Sequence, residues 1–276
     1  MDWNKSNTIL IIAFIILNIF LLLASFSDIF ANNSNAVSSE DYENKVENLL
    51  KSKNINIKCE IPYDTYVLPV LEAEYKIIDI NNVLVQKYLG KSVEAEENVF
   101  IYTNGNNETL EIVDGKKIIY TVREKVPFDI VNDEFINQSI KTFIEGQELI
   151  YTGFVESNRY KSDYDSCITY IENYNGFNID NSYMHFYVDK NGVYKFEMQR
   201  VNSVMEIKGK IRTTPAIESL SRLMTYDIKD KDIIDIKMTY FSREDENWKY
   251  ITKINSDPTW KVIFSDGTEE HLSSSD

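Results

Sequence analysis

Between Thr8 and Phe26 the chain reads TILIIAFIILNIFLLLASF, 19 residues without a charge and with one amide, Asn18. As a helix rising 1.5 Å per residue this run spans roughly 28 Å, matching a hydrocarbon core of about 30 Å. Cleavable signal sequences carry a shorter apolar core, about 7–15 residues. The nearby cleavage candidates are poor: Ile29-Phe30-Ala31 places a bulky residue where a small one is wanted, and Ser34-Asn35-Ala36 lies well beyond the apolar run. The segment 8–26 therefore reads as an uncleaved transmembrane anchor.

Flanking charge sets its direction. Lys5 and the amino group precede the run, and no Lys or Arg follows until Lys45. The excess of basic residues on the short N-terminal flank predicts residues 1–7 in the cytoplasm and everything beyond about 27 outside. Trp3 and Lys5 then sit at the inner headgroup level as interfacial anchors, with an ordinary surface Trp as the alternative for Trp3. Asn18 lies near the bilayer midplane. There its amide either pairs with a neighbouring transmembrane helix, a contact of about 0.6–2 kcal/mol, or is tolerated through water and lipid adjustment.

The 276 residues hold 44 acids against 29 Lys and Arg, a net charge of −15. Residues 1–27 contain one Lys and one Asp, so all of that charge belongs to the exported part. Such a surface repels nucleic acid and anionic headgroups, which excludes nucleic acid as a partner. Two Cys and two His supply too few soft ligands for a zinc module.

Residues 27–37 read as a short tether. Ser38 and Asp41 then have capping-box spacing, and Tyr42, Val46, Leu49 and Leu50 form one apolar stripe of a helix. A half-buried strand, Ile55–Ile61, is closed by Pro62. A helix near 80–89, ended by Gly90, leads into strands near 98–103, 108–113 and 116–123, with turns at Asn104-Gly105 and Asp114-Gly115. A second helix, about 133–145, has Asp133 as N-cap, Ile136, Ile140, Phe143 and Ile144 on its apolar face, and Gly146 past its end. Strands near 148–155, 167–173, 183–188 and 193–201 follow, with Lys190-Asn191-Gly192 as a hairpin turn. A third helix opens at Thr214-Pro215, cap then Pro, and buries Ile217, Leu220, Leu223 and Met224. Strands near 231–241, 248–255 and 259–264 complete the chain, and Asp266-Gly267 turns the last one back. The sum is an α+β protein: an N-terminal transmembrane helix, then extracellular antiparallel sheets with helices on one face, in two lobes at 38–130 and 131–276.

The chemistry-bearing residues point away from catalysis. His185 sits in an apolar strand and His271 near the C-terminus, and no Gly-x-Ser-x-Gly elbow accompanies them. The run from Asp227 to Asp232 lacks the Gly and the distant Glu of a calcium loop, and reads as a solvated turn. Cys59 and Cys167 are either bridged or two free buried thiols. The sequons at Asn32, Asn107 and Asn137 are expected by chance in an Asn-rich chain. No catalytic residue, cofactor site or metal site emerges.

The opening Met1-Asp2-Trp3-Asn4-Lys5, the anchor centred on Asn18, and the C-terminal Pro258-Thr259-Trp260-Lys261-Val262-Ile263-Phe264-Ser265-Asp266-Gly267 together resemble the YycI (WalI) family, related to YycH. That resemblance implies a regulator of the WalK/WalR (YycG/YycF) two-component system and of cell-wall metabolism. Its implied partners are the WalK/YycG-type sensor histidine kinase, a YycH-like protein and the lipid bilayer. The matching positions are Trp3, Lys5 and Asn18 in the anchor region and Pro258, Trp260, Asp266 and Gly267 in the last hairpin. The ending Thr268-Glu269-Glu270-His271-Leu272 is more acidic than the family's aromatic-rich one, which puts a partner contact by the final strand in doubt. An extracellular ligand-binding module or a cell-wall enzyme on the same anchor is the alternative. The enzyme would need a cleft with converging acids of raised pKa.

Overall fold

The computed structural model describes residues 39–78, 93–96, 99–103, 108–126, 132–147, 153–161, 166–243 and 248–275. The apolar run 8–26, with Trp3, Lys5 and Asn18, lies outside them, as do Ser38 and the expected helix at 80–89. Among the described residues no helix is long and apolar enough to cross a membrane. The chain divides into compact units 1–49 and 50–276, and helix α1 (Ser39–Ser52) begins in the first and ends in the second. Its stripe is narrower than expected, since Tyr42 and Leu49 stay exposed.

The second unit is mixed α+β and mostly sheet. Its strands are β1 (Ile55–Ile57), β2 (Val67–Tyr75), β3 (Val93–Glu96), β4 (Val99–Thr103), β5 (Thr109–Val113) and β6 (Lys117–Thr121). Helix α2 (Asp133–Gln147) precedes β7 (Phe154–Lys161), β8 (Ser166–Tyr174), β9 (Phe177–Asp189), β10 (Gly192–Gln199) and β11 (Val201–Arg212). Helix α3 (Ala216–Leu220) leads through a 3₁₀ turn to β12 (Lys231–Phe241), β13 (Lys253–Phe264) and β14 (Glu269–Ser273). The main strand order is β11-β2-β13-β12-β9-β10-β6-β5-β4-β3, with β1 beside β12, β14 beside β13, and β8 and then β7 branching from β9.

The hairpins form where the turn dipeptides demand them. Asp114 and Gly115 both have positive φ (50° and 65°), the conformation of a type I′ turn whose twist matches its strands. It pairs β5 with β6 in register Val113↔Lys117. Both strands alternate buried and half-buried residues, so one face is committed to a core. That core is completed by α2, whose Ile136, Ile140 and Ile144 are buried at helical spacing. They pack with Leu110, Ile118, Ile168, Met184, Phe186 and Phe196 from the sheet.

Several expectations need correction. Asn132, not Asp133, caps α2: the Phe135 amide donates to Asn132 Oδ1 at 2.8 Å. Asp133 instead pairs with Arg159 (3.0 Å) and Lys161 (2.5 Å), and Gly146 falls inside the last turn of the helix. The third helix is only five α residues and a 3₁₀ turn, and its N-cap is Pro215 with no side-chain cap bond. Thr214 does not cap it. Leu220 and Leu223 are buried as expected, but Met224 is only partly so. Strands β2 and β11 were not foreseen, since Pro69 and the acids of VLPVLEAEY mask the alternation of β2. Strand β13 runs unbroken through Pro258. That residue sits where β13 leaves β2 (last pair Ser256↔Leu71) and just before it meets β14 (Thr259↔Ser273), so its missing N–H falls where that flank has no ladder.

The sheet has two branches. Strands β3 to β10 with α2 form one; β1, β2 and β11 to β14 with α3 form the other. Between them the ladder is narrow, since β9 and β12 run parallel over two pairs, Thr239↔Asn178 and Tyr240↔Ile179.

Candidate functional site

The residues that carried the family resemblance at the C-terminal end lie on one hairpin, β13–β14, with opposite chemistry on its two faces. On the apolar face Trp260 is 1% exposed. Its indole Nε1 donates to the Thr214 carbonyl at 2.9 Å, satisfying a donor that burial would otherwise leave costly. The Tyr66 ring lies 6.4 Å away, centroid to centroid. The Pro258 carbonyl accepts from Ser274 Oγ at 2.5 Å, which holds the strand end down.

At the turn, Asp266 Oδ1 accepts from Thr268 Oγ1 at 2.6 Å and from the Thr268 amide at 3.0 Å. Lys231 reaches its other oxygen at 2.7 Å. Burial would raise the Asp266 carboxyl, but the Lys231 and Thr268 bonds outweigh it and hold the group below the ordinary carboxylate range. Gly267 adopts φ +82°, and a Cβ there would lie 2.8 Å from the Tyr160 ring of β7. Glycine is required twice over, by the left-handed backbone and by the ring against it. Tyr160, one of the last residues of β7, is thereby seated on the C-terminal turn. Asn158 Nδ2 donating to Glu269 Oε1 (3.2 Å) and Lys237 Nζ donating to the Ser157 carbonyl (2.8 Å) fix the same strand.

On the other face is a buried charge cluster that sequence reasoning missed. Lys261 is 1% exposed, yet it occupies an inward position of β13. Its Nζ lies 3.2 Å from Asp180 Oδ2 and 2.6 Å from Glu269 Oε2. Asp180 Oδ2 also meets His271 Nε2 at 2.5 Å, and the imidazole stacks on Phe241 at 3.7 Å. Burial pushes the Asp180 carboxyl up, but Lys261 and then His271 outweigh it, so the group stays below its ordinary range. Burial lowers the Lys261 ammonium, and Asp180 and Glu269 more than restore it. The cluster is an ion-paired network with Asp180 ionised at its centre, and it binds β14 to β9 across the sheet. Only a break in alternation at Lys261 could have signalled it, because its partner lies 81 positions earlier in the chain.

The other buried charges behave in the same way. Asp189 is held by Arg123 (Nη1 to Oδ2, 2.7 Å) and by the amides of Val126 and Asn191. Its carboxyl falls below the usual range although burial opposes this. Lys116 is 2% exposed and donates to the carbonyls of Trp248 and Ile251, the latter at 2.8 Å, with the Trp248 ring 4.3 Å from its Nζ. His185, expected to be structural, meets Thr169 Oγ1 through Nδ1 at 2.9 Å, and burial pushes it down to about 4. Asp257, exposed on β13, differs from these: partial desolvation alone raises it. Cys59 and Cys167 are not joined in a disulfide, and burial, then Asp235, raises the Cys59 thiol. The acidic run from Asp227 bends at Asp230, which has φ 56° and accepts from Asn54 Nδ2 at 2.9 Å, and its last two residues, Lys231 and Asp232, open β12. Among the described residues no three His, Cys, Asp or Glu side chains are grouped as a metal ion would need.

Among proteins of curated function none matches this sequence. Among solved structures the fold is similar to YycH from Bacillus subtilis: TM-score 0.52 at 12% identity, over 77% of this chain and 53% of that one. The chain thus spans about half the length of the YycH chain it resembles. An uncharacterized protein from Eubacterium rectale overlaps with a TM-score of 0.42 at 10% identity, over 85% of this chain and 94% of that one. The YpeB C-terminal domain from Bacillus megaterium does so with 0.31 at 11%, over 86% and 98%. The sequence itself matches the YycI protein family across residues 32–273. Taken with the YycH-like fold, that match over nearly the whole described region places the chain in the YycI family, a family of regulatory proteins.

Proposed function

We propose that this chain is a non-enzymatic, single-pass membrane regulator that associates with a WalK/YycG-type sensor histidine kinase and a YycH-like protein, modulating two-component signalling that controls cell-wall metabolism. In this reading residues 1–7 are cytoplasmic, 8–26 anchor the chain, 27–37 tether it, and the extracellular α+β part follows from residue 38. The observation that carries it is the family match over residues 32–273. The apolar length of 8–26 supports the anchor, and Asn18 supplies a directional contact to a kinase helix. The state of the buried carboxylates supports a binding role over hydrolysis. Asp180, Asp189 and the half-buried Glu197 are held low by cations, whereas a general acid needs a raised pKa, and the carboxyl that is raised, Asp257, lies exposed on β13.

Regulation requires that binding differ between two states of the kinase. The test is membrane crosslinking and co-purification of the full-length chain with the kinase and the YycH-like protein. Asn18→Leu is expected to reduce kinase recovery while membrane insertion is unchanged. Recovery equal to that of the unsubstituted chain removes Asn18 from the mechanism. Replacing 8–26 with an unrelated anchor distinguishes the readings further, because full regulation by that chimera would assign the activity to the exported part alone.

A further inference from the structure

Strand β9 carries an irregularity at the narrow joint between the branches. Its ladder with β8 jumps from Ile171↔Tyr183 to Glu172↔Ile179, so Asp180, Asn181 and Ser182 pair with no residue of β8. The ladder with β10 ends at Gln199↔Tyr183, and that with β12 at Tyr240↔Ile179. Three successive residues thus leave every ladder at the point where the α2-covered branch meets the C-terminal one. All three are buried: 8%, 2% and 0% exposed. Buried polar groups outside a ladder must find other partners, and here each side chain finds them on different strands.

Asn181 imitates a ladder pair with the end of β12: its Nδ2 donates to the Ser242 carbonyl at 2.8 Å, and its Oδ1 accepts from the Ser242 amide at 2.7 Å. Its own carbonyl accepts from Gln199 Nε2 of β10 at 3.1 Å. Ser182 Oγ donates to Glu172 Oε2 of β8 at 2.6 Å and accepts from the Val201 amide, the first residue of β11, at 3.1 Å. Asp180 holds Lys261 of β13 and His271 of β14. Six strands are tied to three residues. Other ties between the branches are Lys116 on the carbonyls beside Trp248, β7 on the C-terminal turn, and an apolar cluster in which Leu71, Val204 and Tyr240 of one branch meet Tyr174, Phe177 and Ile179 of the other.

We infer that the Asp180-Asn181-Ser182 bulge is the coupling element of this fold, the part that makes the two branches open as one cooperative unit. Bulges re-aim side chains and are placed rather than accidental. With a direct ladder of only two pairs, these side chains supply the polar part of the link, beside the apolar contact of Ile179 and Phe177 with Leu71 and Tyr240.

The test is hydrogen exchange on the full-length chain, read peptide by peptide, with Ile140→Val in α2 as a remote perturbation. Loss of one buried methylene lowers protection around α2 by about three- to tenfold. In the otherwise unsubstituted chain the same factor is expected at β2 and β11. Combined with Asn181→Ala, the loss is expected to stay within β8, β9, β10 and α2, with β2 and β11 unchanged by Ile140→Val. Ser182→Ala, which removes only one oxygen, serves if Asn181→Ala does not fold. An Ile140→Val effect already confined to its own branch without the second substitution overturns the inference. So does an effect that reaches β2 and β11 undiminished in the Asn181→Ala or Ser182→Ala background. A protein in which these residues merely added stability would lose protection uniformly and keep the two branches linked.

Discussion

The two branches of the sheet are held together by different physics. The α2-covered branch is a conventional apolar layer, with Phe186, Phe196, Ile168 and Met184 fully buried beneath three isoleucines of one helix. Phe143 joins it through ring contacts at 5.5 Å to Phe196 and 6.0 Å to Phe186. The C-terminal branch also buries Trp260 and Tyr240 on one face, but on the other it encloses Lys261, Asp180 and His271, where apolar side chains of similar volume would fit without desolvating charge. Buried ion pairs add little net stability over apolar packing, yet removing one partner costs about 3–5 kcal/mol because the other charge stays buried. The first branch is therefore defined by how much it buries, and the second by which residues meet.

The contrast is breakable by substitution. Phe186→Ala is expected to cost about 3–5 kcal/mol in chemical denaturation, as large core truncations do. A loss below about 1 kcal/mol would mean the apolar layer is not what holds that branch. Lys261→Met is expected to cost about 3 kcal/mol or more, because Asp180 is left buried without its cation. Asp180→Asn together with Lys261→Met is expected to cost less than Lys261→Met alone. If the double variant is the worse of the two, the ion pair is a net source of stability and the contrast fails.

Gly267→Ala is expected to destabilise by about 1–3 kcal/mol, from left-handed strain plus contact with the Tyr160 ring. Adding Tyr160→Ala is expected to relieve the contact portion, so the two changes sum to less than their separate effects.

Buried groups along β9 also differ in their response to acid. His185 is buried neutral, with its folded value near 4 against an ordinary 6.5. Unfolding therefore takes up a proton between those values. Its stabilising effect is complete above pH about 6.5 and lost as pH falls toward 4, by at most about 1.4 kcal/mol per pH unit. The carboxylates Asp180 and Asp189 are held low, so their contribution is present above the ordinary carboxylate range and fades only as pH drops through their folded values. Denaturation midpoints measured from pH 7 to about pH 2 in the His185→Gln variant are expected to lose the earlier decline and keep the later one. Smallest of all, Tyr250→Ala, at a side chain 70% exposed, is expected to stay within about 0.5 kcal/mol of the unsubstituted chain.

What the sequence made legible is what local chemistry decides. Asp114-Gly115, Asn191-Gly192 and Asp266-Gly267 place hairpin turns because their glycines take positive φ, and strands β5, β6, β10 and β12 follow within a residue or two at each end. The α2 stripe was readable from its spacing, although its cap was displaced by one residue because Asn132 and Asp133 offer the same oxygen geometry one position apart. Strands β2 and β11 were hidden because their alternation is settled by neighbours more than a hundred positions away, with Pro69 at a register shift between them. The hairpin with Pro258, Trp260, Asp266 and Gly267 was marked by residue type. The charge cluster on its other face was not, because Asp180 and Lys261 come together only when β9, β12 and β13 lie side by side.

Strand β2 lies between β11 and β13, paired with residues 201–212 on one side and 253–256 on the other. An early segment of the second unit thus waits for the latest ones before its backbone is satisfied, and β1 likewise waits for β12. Loop closure over such separations slows folding. In a nascent chain of this sequence β1 and β2 accordingly stay unpaired until β11 to β13 have been made, and loss of a few dozen C-terminal residues is expected to leave β2 with one flank open.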